Sequence, residues 1–490
     1  MNKNTLQDLV KGKYGRKIAY ANVEEVDQSN ILEVVGETIG IFYFNKQVTK
    51  YLWDYYKGDQ PILYRTKTIR DDVVNKVVEN HAYEAVQFKV GQSYGEPLQC
   101  VSIVKENISE YVDVFNNYLR RAHKHARNIR AGEWQSATGT AFLAAQFEKP
   151  GEKMPFRITV PTPMNTYIIY SSITEEPLVS VQELKDLNGE WYKSCHTKTH
   201  QCIIKDGKVE EWGVHAFGGI PIVEYPNNFE RISDIELVAS MFDAINNMQS
   251  NRMDSIEQFV SAWVKFVNCT VDHDTFQQMK MEGALVVKSN NGTDNKADVD
   301  IMTQELNQTQ SQVAKQDLLD NILQILSIPK LEGNTGGDTQ GAVQLRNGWD
   351  MAKTRGKLKD PIIQESEQRL NEVILNIIRV RKGKNECPID TSQFEVIINH
   401  SPMDNMLVKA QFLDYLLKDG THPKLAYELS TLFPDSEKAY ILSKPYLDVL
   451  YKTSDDENKQ NQIDNNVNQN KEPGNNQNLN GSNKTPEVEE

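Results

Sequence analysis

An α+β fold that is mainly helical follows from three observations. Apolar residues recur at three- and four-residue spacing over long stretches of both halves. Residues 155–225 instead alternate short β-rich runs with Pro, Gly and Asn breaks. Two long helical patterns then bracket a small insert, an architectural layout more than an enzymatic one.

In chain order, "DDVVNKVVENHAYEAVQFKVG" and "ISEYVDVFNNYLRRAHKHARNIRAG" carry helical spacing. In the second, Ile108, Tyr111, Val112, Phe115, Tyr118 and Leu119 share a face. "FRITV", "TYIIYSS", "EPLVSVQEL", "QCIIKDGKVEEWGV" and "IPIVEY" read as antiparallel strands and hairpins. Ser233 with Glu236 fits a capping box. From there Ile235, Val238, Met241, Phe242, Ile245, Met248, Ile256, Phe259 and Trp263 predict one helix of about 34 residues, on the order of 50 Å. An insert over 268–302 reads as a strand near Val267–Val271, a short helix at Asp274–Met281, and strands "GALVVKS" and "ADVDIM". A second helix, roughly Gln304 to Ser327, has Leu306, Val313, Leu318, Ile322 and Ile325 as its apolar positions. After a glycine-rich loop, a third long helix runs from Asp338 or Thr339 to about Lys382. Pro361 should kink it, because the ring removes a hydrogen bond and clashes with the preceding turn. Residues 387–451 carry a β segment, "FEVIINH", then short helices with apolar faces at Leu407, Phe412 and Leu416 and at Leu425, Tyr427 and Leu429. Residues 452–490, Asn/Gln-rich, acidic and without an aromatic, read as a disordered tail.

At 490 residues the chain is long enough for two to four substructures. Hydrophobic content of 39% and charged content of 25% are those of a soluble globular protein. No apolar run approaches the roughly 18 residues of a membrane span, and the N-terminus has no apolar signal region. Five scattered cysteines, Cys100, Cys195, Cys202, Cys269 and Cys387, read as reduced thiols. A net charge of −14 argues against a surface that grips nucleic acid all over, though not against a local basic patch.

The candidate chemistry is sparse. "SIPKLEGNTGGDTQGAVQLRNGW" (327–349) lacks the Lys of a phosphate-binding loop and follows a helix where that motif follows a strand. It reads either as a flexible helix connector or as a polar loop displayed towards a passing polymer. "CHTKTHQC" offers Cys195, His196, His200 and Cys202 as zinc ligands, but at no known finger spacing. Strand alternation would put His196, His200 and Cys202 on one face and Cys195 on the other, so ordinary strand residues are the simpler reading. "RRAHKHARNIR" (Arg120, Arg121, His123, Lys124, His125, Arg127, Arg130) is either a nucleic-acid or acidic-partner contact or a solvated helix face. Arg346, Lys353, Arg355, Lys357 and Lys359 form a second basic stretch directly after the polar loop. No GxSxG, HExxH or catalytic cysteine signature occurs, and Asp234, Glu236 and Asp243 read as helix-start charges.

Several stretches together resemble the portal proteins of tailed bacteriophages, in the branch typical of long-tailed phages of Gram-positive hosts. They are "YLWDYYKGDQPILYR" (51–65), "NKVVENHAYEAVQFKVGQSYGEP" (75–97), "ATGTAFLAA" (137–145) and, most specifically, "HAFGGIPIVEYPNNFERISDIELVASMFDAIN" (215–246). The resemblance implies a ring, usually of twelve subunits, at one capsid vertex, with a channel for double-stranded DNA. It divides the chain into a wing (1–231), a first stem helix (232–267), a clip (268–302), a second stem helix (303–328), a tunnel loop (329–339), a long kinked wing helix (340–386), a crown (387–451) and the tail. It places Lys330, Asn334, Thr335, Gly336, Gly337 and Asp338 at the channel and makes Arg346, Lys353, Arg355 and Lys357 candidate DNA-facing cations. The implied partners are the terminase large subunit, a head-completion adaptor, and the major capsid and scaffolding proteins. The implied location is the virion portal vertex, after assembly in the host cytoplasm. The resemblance implies no cofactor, metal, membrane or catalytic residue. The competing readings are another ring-forming head–tail connector and a DNA-processing enzyme.

Overall fold

The computed structural model describes residues 6–10, 13–67, 73–103, 108–260, 263–267, 298–302, 308–330, 348–399, 406–430, 432–433 and 436–447, with isolated positions 274 and 277. The chain divides into two compact units, Met1–Met403 and Asp404–Glu490.

The first unit opens with a short helix α1 (Leu6–Val10), strand β1 (Ala19–Ala21) and helix α2 (Ile31–Tyr56). α2 serves two cores. Its first half, with Ile31, Val34, Val35 and Phe42, packs with Tyr167, Ile169, Val179, Val181, Cys195 and Cys202. Its second half, with Val48, Leu52, Tyr55 and Tyr56, belongs to the main core. There the rings of Trp53 and Trp134 stack at 3.6 Å between centroids.

Helix α3 covers His81–Tyr94, so the helical spacing that begins in "DDVVNKVV" is a helix only from its second half. Residues 73–80 are extended instead. Their alternate amides donate to side chains of the later helix α6: Asn75 N to Asp254 Oδ1 (2.6 Å), Val77 N to Ser250 Oγ (3.0 Å) and Glu79 N to Asn246 Oδ1 (2.8 Å). A period of two on the extended segment meets a period of four on the helix, which replaces the backbone ladder that a helix would have formed. Asn80 then caps α3 by accepting from Tyr83 N.

Strand β2 (Gln99–Ser102) precedes α4 (Ser109–Arg121) and α5 (Lys124–Thr138). The sequence pattern reads as one helix here. It is two, because His123 adopts a left-handed φ of 55° and turns the axis. Of the expected face, Val112, Phe115, Tyr118 and Leu119 are buried. Gly139 ends α5 at φ 88°, where a Cβ would lie 2.0 Å from the Arg231 carbonyl oxygen.

The β region follows the expected runs in β4 (Phe156–Thr159), β5 (Thr166–Ser171), β6 (Pro177–Lys185), β8 (His200–Lys205), β9 (Lys208–Val214) and β10 (Ile222–Pro226), and adds β3 (Thr140–Phe147) and β7 (Trp191–His196). Six strands form a sheet in the order β1-β5-β6-β7-β8-β9, and a second sheet runs β10-β3-β4. All neighbours are antiparallel except β1 on β5, which is parallel.

Helix α6 spans Ala239–Val260, 22 residues, so the expected 34-residue helix is shorter at both ends. At its start Glu236 accepts from Ser233 N (2.8 Å), as the capping box expects, while the Ser233 hydroxyl donates to the carbonyls of Ser136 and Ala137. Residues 234–238 form turns, not α-helix. At its far end Trp263 is not a helix residue. It opens β11 (Trp263–Val267), which pairs with β12 (Asp298–Met302). The rest of the insert lies outside the described residues, apart from helical positions 274 and 277. Helix α7 covers Gln308–Leu326, and α8 runs unbroken through Pro361 from Trp349 to Lys382. The last strand, β13 (Phe394–Ile397), returns to pair with β2, joining Val396 to Cys100 across the main core.

The second unit contains α9 (Met406–Lys418), α10 (Pro423–Ser430) and a helical stretch over 436–447. Its core is Leu413, Ala426 and Tyr427. The expected faces are corrected here: Phe412, Leu425 and Leu429 are exposed, at 45%, 52% and 59%. Residues 448–490, which include the whole expected tail of 452–490, lie outside the described residues.

Candidate functional site

The glycine-rich stretch sits between two firmly built feet. The first foot is the end of α7. Ile328 N donates to the Leu323 carbonyl (2.8 Å) and Ser327 N to that of Gln324 (3.1 Å), with Ser327 at φ 53°. This is a Schellman cap with serine where glycine is usual. Lys330 follows and pairs with Asp320 of the same helix at 3.0 Å, both side chains about half exposed.

The second foot is the start of α8. Gly348, at φ 79°, leads into the helix, and the Trp349 ring meets that of Phe88 at 6.2 Å. Gln92 of α3 donates to the Ala352 carbonyl. Arg355 reaches back and donates to the Ile325 carbonyl of α7 at 2.8 Å, which places a cation on the negative end of that helix. The end of α7 and the start of α8 are therefore tied together.

The sequence-predicted residues divide accordingly. Lys353, Arg355 and Lys357 lie on the first turns of α8 and are exposed. Lys330 is engaged with Asp320. Asn334, Thr335, Gly336, Gly337, Asp338 and Arg346 lie outside the described residues. Lys359 differs from the other cations of its stretch: burial pushes its pKa down to about 8, against the pull of Asp234, and it donates to Asn227 Oδ1 at 2.8 Å. Sequence reasoning grouped it with the exposed cations because spacing alone does not reveal that Asn227 and Asp234 approach.

The helix pair leading to the loop is held by polar links. Glu79 accepts from Gln249 of α6 and from Lys315 of α7 (2.7 Å), and Arg252 donates to Gln312 at 3.1 Å. Burial raises the Glu79 carboxyl, but the hydrogen bonds from Lys315, Gln249 and His81 outweigh it and hold the pKa below the ordinary value. The links between elements could not be read from sequence, because Glu79 lies 170 residues before Gln249 and 236 before Lys315, and Arg252 lies 60 before Gln312.

The other candidates resolve differently. In "RRAHKHARNIR", Lys124 is buried on Glu367, and Arg130 pairs with Glu133 (2.9 Å) and lies 5.0 Å from the Trp53 ring. Those two cations serve the fold. In "CHTKTHQC", a turn at 197–199 separates two strands, so Cys195 stands directly opposite Cys202 on one face, and both are buried. The expected arrangement, Cys195 apart from Cys202, assumed one strand running through. The buried carboxylate of Glu224 is balanced: it accepts from Tyr170 (2.7 Å), Thr140 (2.7 Å) and Arg231 (3.2 Å). The Thr199 hydroxyl meets His200 Nδ1 at 2.9 Å within the exposed hairpin turn. The geometry suits mechanical support of a loop.

The family model of phage portal proteins of the SPP1 Gp6-like type matches residues 45–427. The chain belongs to this family. It is thus a phage portal protein, a structural head–tail connector component and not an enzyme. No curated protein matches the sequence. Among solved structures it is similar to a chain of the neck of an empty gene transfer agent particle, computed with C6 symmetry. Identity there is 12%, coverage 72% of this chain and 90% of that one, and the TM-score 0.44. It is likewise similar to a chain of a native gene transfer agent virion, with 12% identity, 79% and 94% coverage and a TM-score of 0.45.

Proposed function

We propose that this portal protein forms a closed ring, of twelve subunits as is usual in the family, at one capsid vertex of the virion. Double-stranded DNA passes through it, packaged by the terminase large subunit and later ejected, and a head-completion adaptor binds once packaging ends. Assembly takes place in the host cytoplasm with the major capsid and scaffolding proteins, and the phage is of the long-tailed, Gram-positive-host branch. Residues 1–231 are the wing, 232–267 and 303–328 the stem, 268–302 the clip, 329–339 the tunnel loop, 340–386 the helix behind it and 387–451 the crown. Pro361 kinks that helix, which stays continuous through it.

The family match over residues 45–427 is the observation that carries this reading. The tied feet of the loop support the part of it that concerns DNA. A loop beside moving DNA should attract phosphate weakly, since each neutralised phosphate adds salt-dependent affinity that would stall translocation. Asn334, Thr335, Gly336, Gly337 and Asp338 meet that demand, with Arg346, Lys353, Arg355 and Lys357 as more distant cations. Negative-stain electron microscopy of the purified chain tests the ring. Closed rings with a central hole are expected, and a monodisperse monomer at high concentration would overturn the reading.

A further inference from the structure

The β7–β8 hairpin holds two thiols in register. Cys195 pairs with Cys202, flanked in the same row by Val181 on one side and Trp212 on the other. The turn closes with Thr197 N donating to the His200 carbonyl at 2.8 Å. Counting pairs back from that closure, 196/201 is the non-bonded pair and 195/202 a hydrogen-bonded one, a class of pair whose Cα atoms ordinarily stand about 5.5 Å apart. That falls within the roughly 4.4–6.8 Å that a disulfide spans. Both cysteines are reduced, and they are 1% and 3% exposed.

The two sulfurs are not equivalent. The Cys195 thiol donates to the Cys202 sulfur, which lowers the Cys202 pKa below the ordinary thiol value and raises that of Cys195. The other described cysteines, Cys100 and Cys387, are buried in the main core. Burial pushes Cys387 up to about 11 and Cys100 higher still.

We propose that Cys195 and Cys202 form an oxidation site that takes a small hydroperoxide and closes to a disulfide across the hairpin. The Cys202 thiolate attacks one peroxide oxygen. The O–O bond breaks, and the departing oxygen leaves as hydroxide and is protonated to water. The resulting Cys202 sulfenic acid is then attacked by the Cys195 sulfur. The S–O bond breaks, and the departing hydroxide takes the Cys195 proton as a second water. Two thiols and one hydrogen peroxide give one disulfide and two waters, with two electrons passing from sulfur to oxygen. The site lies one strand in from the β9 edge, under Trp212, so a peroxide reaches it through edge opening while a bulky disulfide oxidant does not. The proposal does not depend on ring formation.

The test is peroxide treatment of the folded full-length chain, followed by non-reducing peptide mapping and counting of free thiols. A Cys195–Cys202-linked peptide is expected, with thiol loss there faster than at Cys387. The hydrogen bond from Cys195 favours the Cys202 thiolate while burial disfavours that of Cys387, which sets this order. In C195S, a dimedone adduct should appear on Cys202, and in C202S none should appear on Cys195. Linkage seen only after denaturant, equal loss at Cys387, or a Cys202 sulfenic acid that persists in the unsubstituted protein would overturn it. The unsubstituted protein alone decides the case even where a variant fails to fold.

Discussion

Lys124 lies in the most basic run of the sequence and yet contributes no surface charge. Its ammonium group sits 2.6 and 2.7 Å from the two Glu367 oxygens and 3.1 Å from Asn128 Oδ1, while Tyr225 donates to Glu367 at 3.1 Å. Removing one partner leaves an uncompensated buried charge. Glu367→Gln is therefore expected to cost about 3–5 kcal/mol in urea unfolding, and Lys124→Met with Glu367→Leu to recover most of it. A conflicting residue of a different kind is Asp243. Burial raises its pKa to about 6 from the ordinary 3.8, opposed by the hydrogen bond from Tyr55 (2.8 Å). Between those two values the native state keeps a proton that the unfolded chain has lost, so stability falls as pH rises from about 4 to about 6. Above pH 6 the full cost is present, roughly 2–3 kcal/mol. Asp243→Asn should restore about that much at pH 7 and flatten the acid limb of the stability curve. An unchanged pH profile would show that Asp243 ionises normally.

Among the elements, the extended segment 73–80 depends most on one neighbour. Ser250→Ala leaves the Val77 amide without its acceptor, an expected loss of about 1–2 kcal/mol. Hydrogen exchange at Val77 should quicken while that at β3 stays slow. The segment also marks where sequence reading reached its limit. Its valines have helical spacing, and only the approach of Asn246, Ser250 and Asp254 makes the extended form cheaper. The reverse occurs in α2, where Gly36, Gly40 and several β-branched residues lower helix propensity and burial of Tyr51, Leu52 and Tyr55 overrides it. The strands of residues 155–225 were legible because Pro, Gly and Asn set their ends locally. The junction between α5 and β3 is local too. Gly139→Ala should cost about 3 kcal/mol or more, since the added methyl meets a backbone carbonyl at a positive φ. Thermal unfolding of the purified variant measures it.

For the whole molecule, the succession of helices and strands was readable in outline and the contacts between distant elements were not. The loop's composition and its flanking helices could be seen in the sequence. Arg355 reaching Ile325, and Glu79 joining the two helices, could not, because nothing local encodes them. If the loop meets DNA weakly, added cations there should hinder passage without touching assembly. Asn334→Lys with Asp338→Lys is expected to leave rings intact by electron microscopy and to reduce the DNA packaged per capsid. Normal packaging would separate loop charge from translocation.

The pairing of β2 with β13 has a consequence for timing on the ribosome. Cys100 acquires its strand partner only when Val396 has been made, and the helix packed beneath it, α8, is almost as late. At roughly 5–20 residues per second, the early half of the core waits on the order of tens of seconds with an open edge and bare apolar side chains. A nascent chain halted before Phe394 should therefore be bound by chaperones and cut readily by protease. One halted beyond Ile397, with its exit-tunnel length allowed for, should resist.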